Sequence, residues 1–225
     1  MLDSLFRFCD HVIVLDIETT GFDSRRDEII ELAAFRLDKN QAIPASEREL
    51  NMLIKLSDGR RLPQTITNLT GISESQLLYE GVEKSFACEK LTEWLACSNP
   101  LLVAYNAQFD LGFLYFFLDR FGKANLLDRI KMLDALTVYK DRRPYPHTLK
   151  DAVSAYALQT QNTHRAIDDT KATFELLCAM ERERDDLERY INLFGYNPKY
   201  GVSGRKIASV RYLPQPYNRP GKLYE

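Results

Sequence analysis

The sequence predicts an α/β fold in which helices flank a mixed sheet of three antiparallel strands followed by parallel strands. Three runs rich in β-branched and apolar residues come first, and the short loops between them favour an antiparallel meander. Beyond residue 73, segments with helical spacing alternate with short apolar runs, which is typical of parallel strands joined by helices. The 225 residues are 45% hydrophobic and 28% charged, so the chain can bury a sizeable core.

Local patterns predict the elements of the first half. The meander strands are expected at 11–17, 28–37 and 49–56, where the runs HVIVLDI, EIIELAAFRL and ELNMLIKL stand. Around Trp94, apolar positions recur near i, i+4 and i+8, which predicts a helix. A turn signal then leads into a short strand within 99–106, and a helix between two strands indicates a crossover connection.

Four more elements are predicted after this crossover. They are a helix over 109–122, a strand over 131–139, a helix over 148–158 and a long helix over 164–194. Asn106 is a candidate N-cap for the first of these helices, and Gly122 closes it. Thr148 is the candidate N-cap of the next helix.

Composition excludes several classes of protein. The formal net charge of −2 provides no global basic field, so a nucleic-acid partner would be held by local patches or by metal. The four cysteines show no CxxC spacing, so neither a zinc site nor a disulfide framework is predicted. No run approaches the roughly 18 apolar residues of a membrane span, and we expect a cytoplasmic protein without membrane contact.

The segment VLDIETTG, residues 14–21, carries the first functional signal. Because residues i and i+2 of a strand point to the same face, Asp16 and Glu18 project together. Such a pair suits the oxygen-ligand preference of Mg²⁺ or Mn²⁺, although two solvated acids at a strand end are also common. The TTG that follows favours a site, since it offers a tight turn and close backbone approach.

Two more acidic positions accompany this pair. Asp110 is expected in the first turn of an apolar helix that begins directly after a strand, where an acid also stabilises the helix dipole. In THRAIDDT, the helical period puts Asp169 at the edge of the apolar stripe that faces the sheet, whereas Asp168 points nearly opposite. His164 precedes this helix and can take a proton near neutral pH; the alternative is an ordinary surface histidine.

The segments DIETTG, YNAQFD and HRAIDD closely resemble, in this order, the three motifs of the DEDDh family of 3′-5′ exonucleases, and the resemblance covers roughly residues 10–185. It implies a ribonuclease-H-like fold. Within the family, the chain looks most like the proofreading exonuclease domain or subunit of bacterial replicative DNA polymerases.

The resemblance also implies residue roles. Asp16, Glu18, Asp110 and Asp169 would bind two Mg²⁺ or Mn²⁺ ions, and His164 would deprotonate the attacking water. The terminal nucleotide would be contacted by Thr19, Thr20, Gly21, Phe22, Asn106 and Phe109. Core packing is the alternative for the two phenylalanines. Tyr105 stands where many relatives have histidine, which puts the substrate preference in doubt.

These roles imply an exonuclease that releases nucleoside 5′-monophosphates from the 3′ end of single-stranded DNA or another DNA 3′ end. The alternatives are an RNA-directed enzyme of the RNase T or oligoribonuclease kind and a non-catalytic adaptor that binds a polymerase. A DNA polymerase is also a possible partner of the enzyme. No residue in the sequence separates DNA from RNA, because that choice depends on contacts with the 2′-hydroxyl.

We expect an exonuclease domain, 1–195, and a C-terminal appendage, 196–225, which is rich in basic residues, Tyr, Pro and Gly. A short strand is expected within 206–213. The tail could present stacking and phosphate-contacting groups to a single strand, or it could pack back on the domain. Lys140, Arg142 and Arg143 form an alternative basic patch.

Overall fold

The computed structural model describes residues 2–40, 47–160, 163–217 and 221–225. Five strands form the main sheet: β1 (His11–Thr19), β2 (Ile29–Asp38), β3 (Glu49–Leu53), β4 (Pro100–Ala104) and β5 (Lys131–Asp134). Their order is β3-β2-β1-β4-β5. The first three strands pair antiparallel, whereas β4 lies parallel to β1 and β5 parallel to β4. The predicted meander and the mixed sheet are therefore confirmed.

Helices cover both faces of this sheet. In chain order they are α1 (Asp3–Phe6), α2 (Gln64–Thr70), α3 (Glu74–Tyr79), α4 (Lys84–Leu95), α5 (Ala107–Asp119), α6 (Ala135–Lys140), α7 (Leu149–Ala155) and α8 (Ala166–Glu183). Alternate residues of β1 enter two different cores: Ile13 and Leu15 pack with α4 and α5, and Val12 and Val14 pack with α7 and α8. This alternation is the period of two expected of a central strand that is buried on both faces.

The strand predicted over 131–139 is correct only in its first part. β5 ends at Asp134, and α6 begins at the next residue. The Asp134 carboxylate accepts hydrogen bonds from the backbone N–H groups of Leu136, at 3.2 Å, and Thr137, at 3.1 Å. The Thr137 hydroxyl donates to the same carboxylate at 2.6 Å. Asp134 is therefore an N-cap, and a cap of this kind starts a helix even where β-branched residues follow.

The long helix predicted over 164–194 is also shorter than expected, since α8 ends at Glu183. A short 3₁₀ helix, Leu187–Tyr190, and a sixth strand, β6 (Leu193–Tyr196), follow. The side chain of Arg142, 1% exposed, pairs with Asp186 at 2.5 Å and donates to the backbone carbonyls of Met180 and Arg184. These bonds take the place of a further helical turn, and they leave Arg142 unavailable for the predicted basic patch.

Two of the predicted helix ends are confirmed and one is corrected. Thr148 caps α7, accepting from the backbone N–H of Asp151, and Gly122 follows α5 with φ of 69°. Asn106 stands at the start of α5 but makes no capping hydrogen bond through its side chain, because its backbone is left-handed, with φ of 65°. Asp134 instead accepts from the N–H of Ala107 at 3.0 Å.

The C-terminal segment packs against the rest of the chain in the described ranges. Its strand, β7 (Arg211–Pro214), overlaps the predicted 206–213 and pairs parallel with β6. Ile207 and Val210 are buried in the core beside α5, and the Gln215 amide donates to the carbonyl of Thr137 at 2.9 Å. The boundary at residue 195 stays a prediction. No helix of the described residues has the length and apolarity that crossing a membrane requires.

Candidate active site

Asp16 and Glu18 lie near the end of β1, the central strand of the sheet. Both are half-buried. Burial raises the pKa of Asp16 well above its usual range, and the nearby charges of Asp110 and Asp169 raise it further. Burial, followed by the charges of Asp169 and Glu31, raises the pKa of Glu18 to about 8. The pair therefore belongs to a larger group of carboxylates whose mutual repulsion opposes ionisation.

Asp110 joins this group from the first turn of α5. It is buried, at 3% exposure, because α5 begins only three residues after β4, the parallel neighbour of β1. Burial raises the pKa of Asp110, with further contributions from the charges of Asp134 and Glu18, while the N–H groups of Asp110 itself and of Ile17 partly offset this. An acid held in this way needs a positive partner from elsewhere when it ionises.

Asp169 and His164 reach the same place from the start of α8. Oxygen or nitrogen atoms of Glu18, His164 and Asp169 all lie within 4.8 Å of one another. Asp169 is 6% exposed and accepts from the N–H of Thr163 at 3.2 Å. Asp168 is only partly buried and accepts from the Thr163 hydroxyl. The helix period thus predicted correctly which of the two adjacent acids is buried beside Glu18.

His164 is exposed and has a left-handed backbone, with φ of 58°. A positive φ is uncommon for residues other than glycine, and such conformations are concentrated at functional sites. The conformation turns the chain immediately before α8, so the imidazole lies beside Glu18 and Asp169. The roles of His164 and of the four acids in catalysis stay predictions.

The sequence reasoning missed Glu31. This residue of β2 lies opposite Glu18 in the β1–β2 register and is fully buried. Its carboxylate accepts from the Arg165 guanidinium at 2.7 and 3.1 Å and from the N–H of Ala166, the first residue of α8, at 3.0 Å. The available signal was a lone acid inside the otherwise apolar run IIELAAF, since a buried charge is almost always paired.

The donor set fits hard divalent cations. Arg165 is bound to Glu31, and no lysine or arginine in the described ranges forms an ion pair with Asp16, Glu18 or Asp110. Buried and half-buried carboxylates that form no ion pair become costly to ionise, a nearby cation offsets that cost, and carboxylate oxygens are the ligands that Mg²⁺ and Mn²⁺ prefer. The residues present are therefore suited to a divalent metal site.

The loop after β1 is closed by its own hydrogen bonds. Thr19 donates from its hydroxyl to the carbonyl of Gly21 at 2.6 Å, and the Thr20 hydroxyl contacts Asp27 and the N–H of Glu28. The Asp27 carboxylate lies so close to Gly21 that a Cβ there would stand 2.4 Å from it. The predicted contacts of Thr19, Thr20 and Gly21 with a nucleotide stay predictions, and the contacts in the structure are those that shape the loop.

The aromatic residues of the predicted substrate site lie at the edge of this loop. Phe22 is 87% exposed, so it is not a core residue, and its ring meets that of the half-buried Phe109 edge to face at 6.4 Å. Asn106 is exposed at the start of α5. Tyr105 donates to the carbonyl of His147 at 2.9 Å, and burial raises its pKa, which keeps the phenol neutral.

Comparisons with known proteins identify the family of the chain. The sequence model of the RNase_T family, described as exonuclease, matches residues 13–177. The chain is 33% identical over 177 residues to the PolC-type DNA polymerase III of Clostridium perfringens (strain 13 / Type A), covering 76% of this chain and 11% of that protein. The PolC-type enzyme of Staphylococcus aureus is 30% identical over 179 residues, covering 78% and 12%. The chain spans about a tenth of the length of these relatives.

Solved structures share the fold. The E. coli exonuclease I in its zinc-bound complex with single-stranded DNA gives a TM-score of 0.72 at 18% identity, covering 81% of this chain and 42% of that one. Exonuclease I from Methylocaldum szegediense gives 0.70 at 20% identity, with 81% and 42% covered. These likenesses confirm the ribonuclease-H-like architecture that the sequence predicted.

The raised carboxylate pKa values predict an unusual dependence of stability on pH. A group whose pKa is higher in the folded than in the unfolded protein loses stabilisation as the pH rises between the two values. For Glu18 this window runs from its ordinary 4.5 to about 8. We expect the melting temperature of the protein in EDTA to fall between pH 5 and pH 8, and Mg²⁺ or Mn²⁺ to raise it more at pH 8 than at pH 5.

Asp16→Asn removes one of the repelling charges, so it should raise the melting temperature in EDTA at pH 8 by about 3 °C and remove most of the stabilisation by metal. Differential scanning calorimetry measures both quantities. A melting temperature in EDTA that increases from pH 5 to pH 8 would contradict this account.

Glu31→Gln should lower the free energy of unfolding by about 2 kcal/mol, because it leaves Arg165 without its buried partner. This is less than the loss expected for a fully buried pair, since the Arg165 side chain is partly exposed. The matched control is Glu49→Gln. Glu49 pairs with Lys171 of α8 at 3.2 Å, but both side chains are exposed, so a loss under about 0.5 kcal/mol is expected. Urea unfolding in EDTA compares the two, and equal losses would contradict a special role for Glu31.

Proposed function

The chain belongs to the exonuclease family whose sequence model it matches, and from this premise we propose that it is a divalent-metal-dependent 3′-5′ exonuclease. Its reaction is the hydrolysis of the terminal phosphodiester bond of a nucleic acid, most readily DNA, with release of a nucleoside 5′-monophosphate. Asp16, Glu18, Asp110 and Asp169 would hold two Mg²⁺ or Mn²⁺ ions, and His164 would act as general base.

The raised pKa values of the carboxylates at the end of β1 are the main support for this proposal. The charges of Asp110 and Asp169 raise the pKa of Asp16, and the charge of Asp169 raises that of Glu18, and in the described ranges no lysine or arginine forms an ion pair with Asp16, Glu18 or Asp110. A cluster that is costly to ionise without a cation persists when function requires it. Exposed acids on an ordinary strand end would not show this mutual effect.

The site residues would have separate roles in the reaction: proton acceptance by His164, metal binding by the acids, and contact with the terminal nucleotide. His164 is exposed, so it can exchange protons with solvent, and its imidazole lies within 4.8 Å of ligand atoms of Glu18 and Asp169. There it would accept the proton of the attacking water at a ring nitrogen. When bound, divalent metal supplies Lewis-acid stabilisation of the charge that develops on the phosphate and the leaving oxygen. Phe22 and Phe109 would hold the terminal base and sugar, with Asn106 beside them.

DNA is favoured over RNA because the relatives with the highest identities above are DNA polymerases III. The same relatives support a DNA polymerase as partner, and cytoplasmic location stays a prediction. The proposed substrate is a single-stranded DNA or a DNA 3′ end.

A time course on 5′-labelled DNA and RNA oligonucleotides of equal sequence tests the proposal, with Mg²⁺, Mn²⁺ or EDTA and an Asp16→Asn control. We expect a metal-dependent ladder that shortens from the 3′ end, faster on DNA. A faster reaction on RNA would favour the exoribonuclease alternative. If folded protein cleaves neither strand with either metal, the catalytic proposal is wrong and a non-catalytic adaptor is the better description.

Asp169→Asn and Asp168→Asn form a matched pair of neighbouring substitutions. Because Asp169 is buried beside Glu18 and Asp168 is partly exposed, we expect Asp169→Asn to reduce kcat at least 100-fold, within the range of metal-site losses, and Asp168→Asn to change it less than about threefold. Steady-state assays on single-stranded DNA make the comparison. Similar losses in both variants would contradict the assignment of Asp169.

His164→Ala should lower kcat by about 100-fold or more at neutral pH, since general-base catalysis contributes roughly that factor. The rate of the variant should increase with pH up to pH 9 or so, because hydroxide replaces the missing base. Metal binding, measured by titration calorimetry, should weaken much less than kcat falls. A variant with a wild-type rate and pH profile would remove His164 from this role.

A further inference from the structure

An open groove of about 790 Å³ lies beside the candidate site. Its walls come from the loop after β1, which contributes Phe22 and Arg25, from α5, which contributes Tyr115 and Phe116, and from the C-terminal segment, which contributes Arg205. We call it the arginine groove. Phe22 connects it to the site, because the same residue contacts Phe109, one position before Asp110.

The two arginines of the groove stack on neighbouring rings of α5. The guanidinium carbon of Arg205 lies 3.9 Å from the ring centroid of Tyr115, and that of Arg25 lies 5.5 Å from the ring of Phe116. Neither guanidinium forms an ion pair with a carboxylate of the described residues. A guanidinium that stacks through its face keeps its N–H edges free, and these edges bind phosphate oxygens.

Gln108 fixes Arg205 relative to the site. Its side-chain amide donates to the carbonyls of Ser203 and Arg205, at 2.7 and 2.8 Å. Gln108 is two residues before Asp110 on α5, and Tyr115 follows Asp110 about 8 Å further along the helix axis. The C-terminal segment is thus attached to the helix that carries a candidate metal ligand, with its arginine a short distance away.

The acids of the groove do not oppose the arginines at the end nearest the site. Asp23 accepts from the backbone N–H of Arg25 at 3.0 Å and faces the Arg26 guanidinium at 3.6 Å. Asp119 lies on α5 about 6 Å beyond Tyr115, at the far end. The positive charge of Arg25 and Arg205 and the exposed ring of Phe22 therefore line one groove.

We propose that the arginine groove binds the single strand upstream of the nucleotide that is removed, with Arg205 and Arg25 on its phosphates and Phe22, the ring against the terminal base, at the junction of groove and site. This inference rests on the proposed function and names its substrate class as single-stranded nucleic acid. Unpaired bases can stack on exposed rings, whereas a base inside a duplex presents no open face. Gln108 is a positioning residue that acts through the attachment of Arg205.

The test compares two substrates. A long oligothymidylate fills the groove, and the p-nitrophenyl ester of thymidine 5′-monophosphate has no upstream nucleotide. The quantity measured is the ratio of kcat/KM for the oligonucleotide to kcat/KM for the ester. Arg205→Glu should lower this ratio about tenfold or more. The matched control, Arg182→Glu, makes the same charge change at an exposed position about 20 Å along α8 from Asp169, and should leave the ratio unchanged.

Two further readouts separate phosphate binding from a structural effect. In Arg205→Ala, the slope of log kcat/KM against log salt concentration should become shallower by about 0.7, the value for one phosphate contact to a single strand. Gln108→Ala should lower the ratio as well, and the double variant should lose little more than Arg205→Ala alone, because both act through the same contact.

The outcomes are distinct. If the wild-type protein hydrolyses both substrates and Arg205→Glu lowers the ratio while Arg182→Glu does not, the inference is supported. If both variants keep the wild-type ratio, or lower it equally, the groove does not bind the strand, and the proposed function stands without it. If wild-type protein hydrolyses neither substrate, the proposed function is wrong and this inference is wrong with it.

Discussion

The bonds between Glu31 and the start of α8 are the constraint on which the candidate site depends. A fully buried carboxylate on β2 accepts from the Arg165 guanidinium and from the N–H of Ala166. Breaking such a pair leaves an uncompensated charge, which typically costs several kcal/mol. The helix is therefore held at one position on the sheet. With it, Asp169 and His164 are held beside Glu18, the residue opposite Glu31 in the register.

This arrangement also explains why the remaining carboxylates form no ion pair with Arg165. Glu31 binds Arg165 bidentately, and the charge of Arg165 offsets only part of the rise in the pKa of Glu18. Burial and the charges of neighbouring carboxylates then raise the pKa of each of Asp16, Glu18 and Asp110. In the folded protein they form a cluster that is costly to ionise without a cation. Such a loss of stability at a functional site is common in enzymes.

The C-terminal segment is part of the same physical unit. Ile207 and Val210 fill the core beside α5, and Gln108 holds the carbonyls of Ser203 and Arg205. Near the C-terminal end of α8, Arg142 donates to the carbonyls of Met180 and Arg184. The segment therefore contributes to packing, and the same packing positions the Arg205 guanidinium over Tyr115. The two alternatives that the sequence left open for the tail are compatible with each other.

The sequence by itself determined the features that follow from the two-residue repeat of a strand or the 3.6-residue repeat of a helix. The alternation of β1 predicted that Asp16 and Glu18 project together, and the period of α8 distinguished Asp169 from Asp168, because both depend on neighbours within a few residues. Only the tertiary structure decided the pairing of Glu31 with Arg165, which are 134 residues apart, and the contact of Gln108 with Arg205, which are 97 apart. Neither pair has a local pattern. Each forms because packing of the sheet and helices brings together groups that must be satisfied once buried, and that requirement acts in three dimensions rather than along the chain.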